Sequence, residues 1–342
     1  MKHLSFGAAL GAVLAIGSAM SLSTVAFAAD TVTVQLDYVV RGNHAMFFVA
    51  RDKGYFQKQG IEIKAIQRGT GSPNAMRFVG GGNAEFGFGD LPTLAVARSQ
   101  DVPVVALAAV NQHSPLGMLA LAKNHKLTKP QDLKGLNIGV QPSGSTYVFL
   151  KAFLAANKMS MDDIKQSTVT PPYENYLLLG RVDAVPGYID AEVPELEAKA
   201  GGPGSLSIMQ GSDFGYTVYG SGLFTSEKMI AEKSDLVQRF VNAYMQAFAD
   251  VVNNPQEAAD IVVKANPEYA SKKDVLVKQI EADVKATFFS PDTKANGLGW
   301  MTAEKWQQTT KILLDQGSMK QAIKVDAAFT DKFIAAAKPL KR

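Results

Sequence analysis

The chain has 342 residues, 46% of them hydrophobic and 20% charged, with 29 Gly, 15 Pro and no Cys, a composition that excludes a disordered chain, a disulfide scaffold and a thiolate metal site. Its 35 Lys and Arg against 32 Asp and Glu leave a formal charge of +3, too small and too evenly spread for an electrostatic nucleic-acid or membrane-surface binder. At roughly 100 to 200 residues per domain, the length favours two lobes, each burying a core of its own.

Lys2 and His3, an apolar run from Leu4 through Val25, and Ala26-Phe27-Ala28 have the basic start, apolar middle and small-residue cleavage site of a secretory signal peptide. Residues 1–29 are expected to be removed by cleavage after Ala28 or Ala29. The mature protein is then exported, to the periplasm in a Gram-negative cell, and no cysteine is present to carry a lipid. The alternation from Thr31 to Leu36 predicts a strand ending at Asp37-Tyr38. Asn43-His44 are placed to cap a helix over Phe47 to Ala50 that stops at Gly54. A strand at Ile61 to Ile66, a turn at Gly69 to Pro73, a helix around Ala75 to Val79 and a strand at Ala84 to Phe88 follow. Leu91 to Ser99 reads as a helix and Val102 to Val110 as a buried strand. This alternation of strand and helix predicts a parallel, doubly wound α/β layer.

The pattern restarts after the basic stretch Lys123 to Lys134, with a strand at Leu136 to Val140, a turn at Pro142 to Thr146, a helix at Tyr147 to Asn157 and a strand at Asp183 to Val185. Tyr216 to Phe224 predicts one more strand. Helices are expected over Asp235 to Asn253, Pro255 to Lys264, Lys273 to Ala286 and Ala303 to Gln316, packed on the first lobe because they have no sheet of their own. The expected division is lobe 1 from 30–118 plus 216–342 and lobe 2 from 119–215, joined by two crossovers. In open α/β sheets ligands sit beyond the carboxyl ends of the strands, so the cleft between the lobes is the expected site.

Several segments resemble a known family, the periplasmic substrate-binding proteins of ABC transporters, in the branch related to thiamine-pyrimidine-precursor, nitrate, sulfonate and taurine binders. The likeness rests on Leu36-Asp37-Tyr38, Asn43-His44, Lys53-Gly54-Tyr55-Phe56, Gly80 to Gly87, Gln112-His113 and Gly180-Arg181-Val182-Asp183-Ala184. The combination of Asp37-Tyr38, Asn43-His44, Gln112-His113 and Glu192 looks like the pyrimidine-binding branch. That branch usually has Asp-Trp at the first position and Pro-Asn before Asn-His, where this chain has Asp37-Tyr38 and Val40-Arg41-Gly42. The resemblance implies a two-lobed periplasmic-binding-protein fold of type II, each lobe a doubly wound sheet with the ligand cleft between them. It also implies a monomer that hands a small-molecule ligand to an inner-membrane ABC permease with its ATPase. The branch includes a fungal pyrimidine-making enzyme with a cysteine-rich metal motif, which a chain without cysteine does not share.

Residue chemistry sharpens the ligand. Asp37, Asp90, Asp190 and Glu192 fall at strand ends or the turns after them, where carboxylates accept hydrogen bonds from amino or ring N–H groups and repel small anions; Asp37 and Asp90 are equally suited to capping helices. Tyr38 and Tyr188 offer stacking faces, and His44 and His113 offer ring donors and acceptors, each with a purely structural alternative. Ser72 and Ser145 lie in small turns before helices whose N–H groups hold a carbonyl or anionic oxygen. Arg41 is the nearby cation, paired with a ligand acid or with Asp37. The expected ligand-binding set is Asp37, Tyr38, Asn43, His44, Ser72, Asp90, His113, Ser145, Tyr188 and Glu192, with Tyr38 and Glu192 outside any core. No catalytic residue, metal site or cofactor is expected. The alternative class, a secreted enzyme, lacks Gly-x-Ser-x-Gly, His-Glu-x-x-His and a Cys nucleophile. A small planar nitrogen heterocycle is therefore the first expectation, and a sulfonate, taurine or nitrate the second.

Overall fold

The computed structural model describes residues 1–3, 29–170, 172 and 174–341, and the expected signal peptide, residues 1–29, lies almost wholly outside them. Two five-stranded sheets organise the chain. The first holds β1 (Asp30–Gln35), β2 (Ile61–Gln67), β3 (Phe86–Asp90), β4 (Val104–Ala109) and β10 (Ser221–Ser226), in the order β2-β1-β3-β10-β4. The second holds β5 (Leu116–Leu121), β6 (Asn137–Val140), β7 (Lys165–Thr168), β8 (Ala184–Tyr188) and β9 (Leu206–Gln210), in the order β7-β6-β8-β5-β9. Helices of eight or more residues cover them: α1 (Ala45–Asp52), α2 (Ser72–Gly80), α3 (Leu91–Arg98), α4 (Ser145–Ala156), α5 (Ile189–Ala200), α6 (Ser234–Asn253), α7 (Pro255–Ala265), α8 (Lys273–Ala286) and α9 (Ala303–Asp315).

The sheets are mixed, which corrects the expectation of purely parallel layers. β1 runs parallel to β2 and β3, whereas β10 runs antiparallel to β3 and β4; in the second sheet β6 runs parallel to β7 and β8, and β5 antiparallel to β8 and β9. The reversed strand in each sheet is the one delivered by a crossover: β5 leads into the second sheet and β10 returns to the first. The boundary expected between residues 118 and 119 falls inside β5. Tyr216 to Gly220, expected as strand, instead forms the returning crossover, and the strand itself runs from Ser221.

Burial explains the helix placement. Along α6, Leu236, Val237, Phe240, Val241, Tyr244 and Phe248 recur at helical spacing and are all buried. Phe240 stacks on Phe86 of β3 with ring centroids 3.7 Å apart, and a buried Phe contributes roughly 1.5–3 kcal/mol. Helices α6 and α7 pack on α1, as expected of a C-terminal segment covering the first lobe. Helix α8 departs from that expectation, because it touches α7 and the turn before α1 on one side and α5, from the second lobe, on the other. Among the described residues no helix is long and apolar enough to cross a membrane.

The loops after β1 and β2 are locked together beneath the cleft. Gly69 N donates to Tyr38 O at 3.1 Å and Gly71 N to Asp37 O at 2.6 Å. A Cβ on Gly69 would lie 2.1 Å from Leu36 O, so only glycine lets the loops approach this closely. Asp37 and Tyr38 are thereby presented toward the second lobe.

Candidate functional site

The carboxyl end of β1 and the start of α2 face the end of β8 and the start of α4. Between them lies a cavity of about 20 Å³, lined by Asp37, Tyr38, Arg41, Ser72, Ser145 and Tyr188 with Gly71, Gln141, Gly144 and Thr146. A site needs ~10–15 Å³ of this kind of space to hold one water, so there is room here for about a single water and the two lobes lie close together. Gln141 Nε2 donates across the gap to Thr70 O at 3.1 Å.

Arg41 dominates the interior. Its guanidinium carbon sits 4.4 Å from the Tyr38 ring centroid and 5.9 Å from that of Tyr188, and it pairs with the Glu192 carboxylate across the cleft. Glu192 also accepts from the backbone N–H of Tyr188, because it stands in the first turn of α5, where N–H groups lack helical partners. Asp37, one of the two partners the sequence offered Arg41, is engaged by His44 and Ser72.

Asp37 is held by lobe 1 alone. Its Oδ1 lies 2.9 Å from His44 Nε2, and its Oδ2 accepts from Ser72 Oγ at 3.3 Å. His44 Nδ1 accepts the Arg41 backbone N–H at 3.1 Å, which puts the ring proton on Nε2, directed at Asp37. His44 thus orients a carboxylate instead of capping α1, whose start shows no side-chain cap from it. Asp90 follows the capping alternative: its Oδ2 accepts from Thr93 N at 2.9 Å and Thr93 Oγ1 at 2.5 Å. Its backbone N–H donates to Ser72 Oγ at 3.1 Å, so Asp90 supports the site from behind. Burial, with a smaller push from Asp37, raises the Asp90 carboxyl to about 7. Tyr188 shares a 2.7 Å hydrogen bond with Ser145, and burial, then Asp90 and Asp37, push its hydroxyl well above the ordinary range.

The structure therefore brings together Asp37, Tyr38, Ser72, Ser145 and Tyr188 at the cavity, with Glu192 behind Arg41 and His44 and Asp90 in support. Asn43 is buried in the turn Gly42–His44 and does not line the cavity. His113 is elsewhere: it is exposed between buried Gln112 and Ser114 and lies by Phe289 and Lys305. The expectation that Tyr38 and Glu192 stand outside a core is corrected. Tyr38 joins a cluster with Leu119, Val169 and Leu177, and Glu192 is 2% exposed.

Sequence reasoning named Asp190 but missed its buried partner, Asp283. Asp190, two residues before Glu192, and Asp283 on α8 are both buried. Asp283 Oδ1 accepts from Asn111 Nδ2 at 2.7 Å and Thr287 Oγ1 at 2.6 Å. Burial first, then the neighbouring Asp190 carboxylate, raises Asp283 well above the carboxylate range, and burial raises Asp190 too. One turn away, Gln279 Nε2 donates to Ala191 O at 2.7 Å and Gln279 Oε1 accepts from Gly42 N at 2.9 Å. Helix α8 therefore forms a polar seam between the lobes.

Comparison with known proteins places this geometry. The family model described as NMT1/THI5 like matches residues 41–258. The chain belongs to the NMT1/THI5-like family. It is 25% identical over 312 residues to the riboflavin-binding protein RibY of Chloroflexus aurantiacus, covering 89% of this chain and 86% of that one. It is also 25% identical over 306 residues to the formylaminopyrimidine-binding protein of Halalkalibacterium halodurans, covering 89% and 90%. The family is not confined to proteins named for binding: the Saccharomyces cerevisiae 4-amino-5-hydroxymethyl-2-methylpyrimidine phosphate synthase THI13 is 25% identical, covering 70% of this chain and 72% of that one. Among solved structures, the alkanesulfonate-binding protein SsuA from Xanthomonas axonopodis pv. citri superposes with a TM-score of 0.68 at 15% identity, covering 89% and 99%. That likeness confirms the two-lobed periplasmic-binding-protein fold.

Proposed function

We propose that this member of the NMT1/THI5-like family is a periplasmic receptor of an ABC importer. In this reading it closes over a small planar nitrogen heterocycle, a thiamine pyrimidine precursor first, and delivers it unchanged to an inner-membrane permease with its ATPase. The observation that carries this reading is the seat of Arg41. A planar, donor-only cation stacks on Tyr38 and hydrogen-bonds the Glu192 carboxylate, and an aminopyrimidine presents the same flat face and N–H edge. Asp37, its two oxygens turned to His44 and Ser72, adds a second acceptor at the cavity wall. A receptor is favoured over a synthase because the chain has no cysteine for the metal motif of the enzymatic branch. The names of two relatives, a riboflavin-binding and a formylaminopyrimidine-binding protein, support a heterocyclic ligand. Lobes close to 30–118 plus 216–342 and 119–215, with β5 wholly in the second, are proposed to move as units about the two crossovers.

A thermal-shift panel tests the ligand class. Ligand at ~100 times its dissociation constant stabilises the native state by about 2.7 kcal/mol, a rise of several degrees. An aminopyrimidine is expected to give that rise, with taurine and nitrate giving none. A response to taurine or nitrate without one to the heterocycles reverses the assignment.

A further inference from the structure

The inner cavity does not end at Tyr38 and Arg41. On their other side lies a second cavity of about 350 Å³, also lined by Tyr38 and Arg41, together with Tyr269, Lys272, Glu195 and Lys199. It falls in the ~300–1,000 Å³ range of small-molecule sites, whereas the inner one does not. Tyr38 and Arg41 thus line both spaces, and a ligand that takes the seat of Arg41 on the Tyr38 ring reaches from one toward the other.

The outer space has its own chemistry. Lys199 ends α5 on the second lobe, and Lys272 precedes α8 on the other side of the cleft. Both ammonium groups converge on one carboxylate, Glu195, at 2.9 Å and 2.7 Å. Among the described residues the lining sets Lys199 and Lys272 against the single carboxylate of Glu195, with Arg41 held by Glu192, while Asp37 lines only the inner cavity. Val40, Leu276 and the Tyr269 ring give the space an apolar floor.

We infer that the ligand is longer than one ring: a flat nitrogen heterocycle whose anionic tail, a phosphate or a carboxylate, extends past Arg41 into the outer cavity, where Lys199 and Lys272 hold it. This rests on the receptor reading above and deepens it. The inner site recognises N–H donors and the outer site recognises the opposite charge, so one ligand bridges both lobes at both ends. The tail takes over the lysine contacts that Glu195 makes.

Calorimetry with three probes tests it: 4-amino-5-hydroxymethyl-2-methylpyrimidine, its phosphate monoester and its hemisuccinate ester. The expected result is that an anionic ester binds at least about tenfold more tightly than the alcohol, as a charge-assisted contact allows. The order of the two esters identifies the tail as phosphate or carboxylate. In Lys199→Ala/Lys272→Ala the ratio of ester to alcohol affinity falls toward one. In Glu195→Gln it rises, because the lysines lose their internal partner; a purely structural Lys–Glu–Lys cluster would leave the ratio unmoved. If the alcohol binds and both esters bind equally or more weakly, the inference is overturned and the receptor reading stands. If none of the three binds while taurine or nitrate does, the reading itself falls and takes the inference with it.

Discussion

Glu192→Gln is expected to weaken ligand binding about ten- to a hundredfold, because it keeps the size of the side chain and removes a charge-assisted acceptor worth roughly 1.5–3 kcal/mol. The carboxylate lies in the first turn of α5, takes the Tyr188 N–H and faces Arg41 from the opposite lobe. Glu192→Ala is a different experiment. It leaves the Arg41 guanidinium, whose side chain is 12% exposed, without its carboxylate in the cleft, and breaking a buried pair in this way costs about 3–5 kcal/mol of stability. Calorimetry and thermal denaturation on the two variants separate the roles. An unchanged affinity in a folded Glu192→Gln protein would move the recognition site away from the start of α5.

The Asp190–Asp283 seam gives the second large effect, a loss of stability as pH rises. In the unfolded chain each carboxyl titrates near 3.8; in the folded chain burial raises both, and the Asp190 carboxylate pushes Asp283 up further. The native state therefore holds a proton that the unfolded state has released, and stability falls by about 1.4 kcal/mol per pH unit for each such proton. Acids whose values are lowered, such as Asp132, Asp163 and Glu268, complete their titration at lower pH, so the window of interest is roughly pH 5 to 7. Asp90, raised to about 7, and Asp331, raised to about 6, act in the same direction, while His113, lowered by partial desolvation against its neighbours and then by the Lys305 charge, acts in the opposite one. Asp283→Asn isolates the seam. An amide oxygen can still accept from Asn111 and Thr287, and an amide N–H can donate to Asp190 as the protonated acid does. Denaturant titrations across this window should give a slope flatter by up to one proton in Asp283→Asn, with equal or greater stability at pH 7. The same slope in both proteins would mean that the pair does not share a proton.

Much of the fold was legible because strand and helix periods differ. The alternation from Thr31 to Leu36 and the apolar stripe of α6 each stand out without tertiary help. Strand direction was not legible: nothing local in β5, Leu-Gly-Met-Leu-Ala-Leu, or β10, Ser-Gly-Leu-Phe-Thr-Ser, marks its sense, and only the crossovers reverse them. β7, Lys-Gln-Ser-Thr, was missed because an edge strand facing solvent carries no apolar signal. At the site, the expected residues at and just after strand ends share the cleft, since the end of β1 in one sheet and of β8 in the other bring Asp37, Tyr38, Tyr188 and Glu192 together. Pairings across the cleft were not, because Arg41 and Glu192 are 151 residues apart and nothing local links them. His113 was misplaced for a local reason. Gln112 N donates to Thr287 O at 2.6 Å and Ser114 N to Val218 O at 3.0 Å, which turns the residue between them outward.

Native mass spectrometry of the protein purified gently from its native host tests the central claim most directly. The account predicts a one-to-one non-covalent complex. On denaturation its ligand is released as a flat, ultraviolet-absorbing nitrogen heterocycle, identical before and after prolonged incubation with the protein. An adduct with the mass of an alkanesulfonate or nitrate, or a heterocycle whose mass changes on incubation, would contradict it.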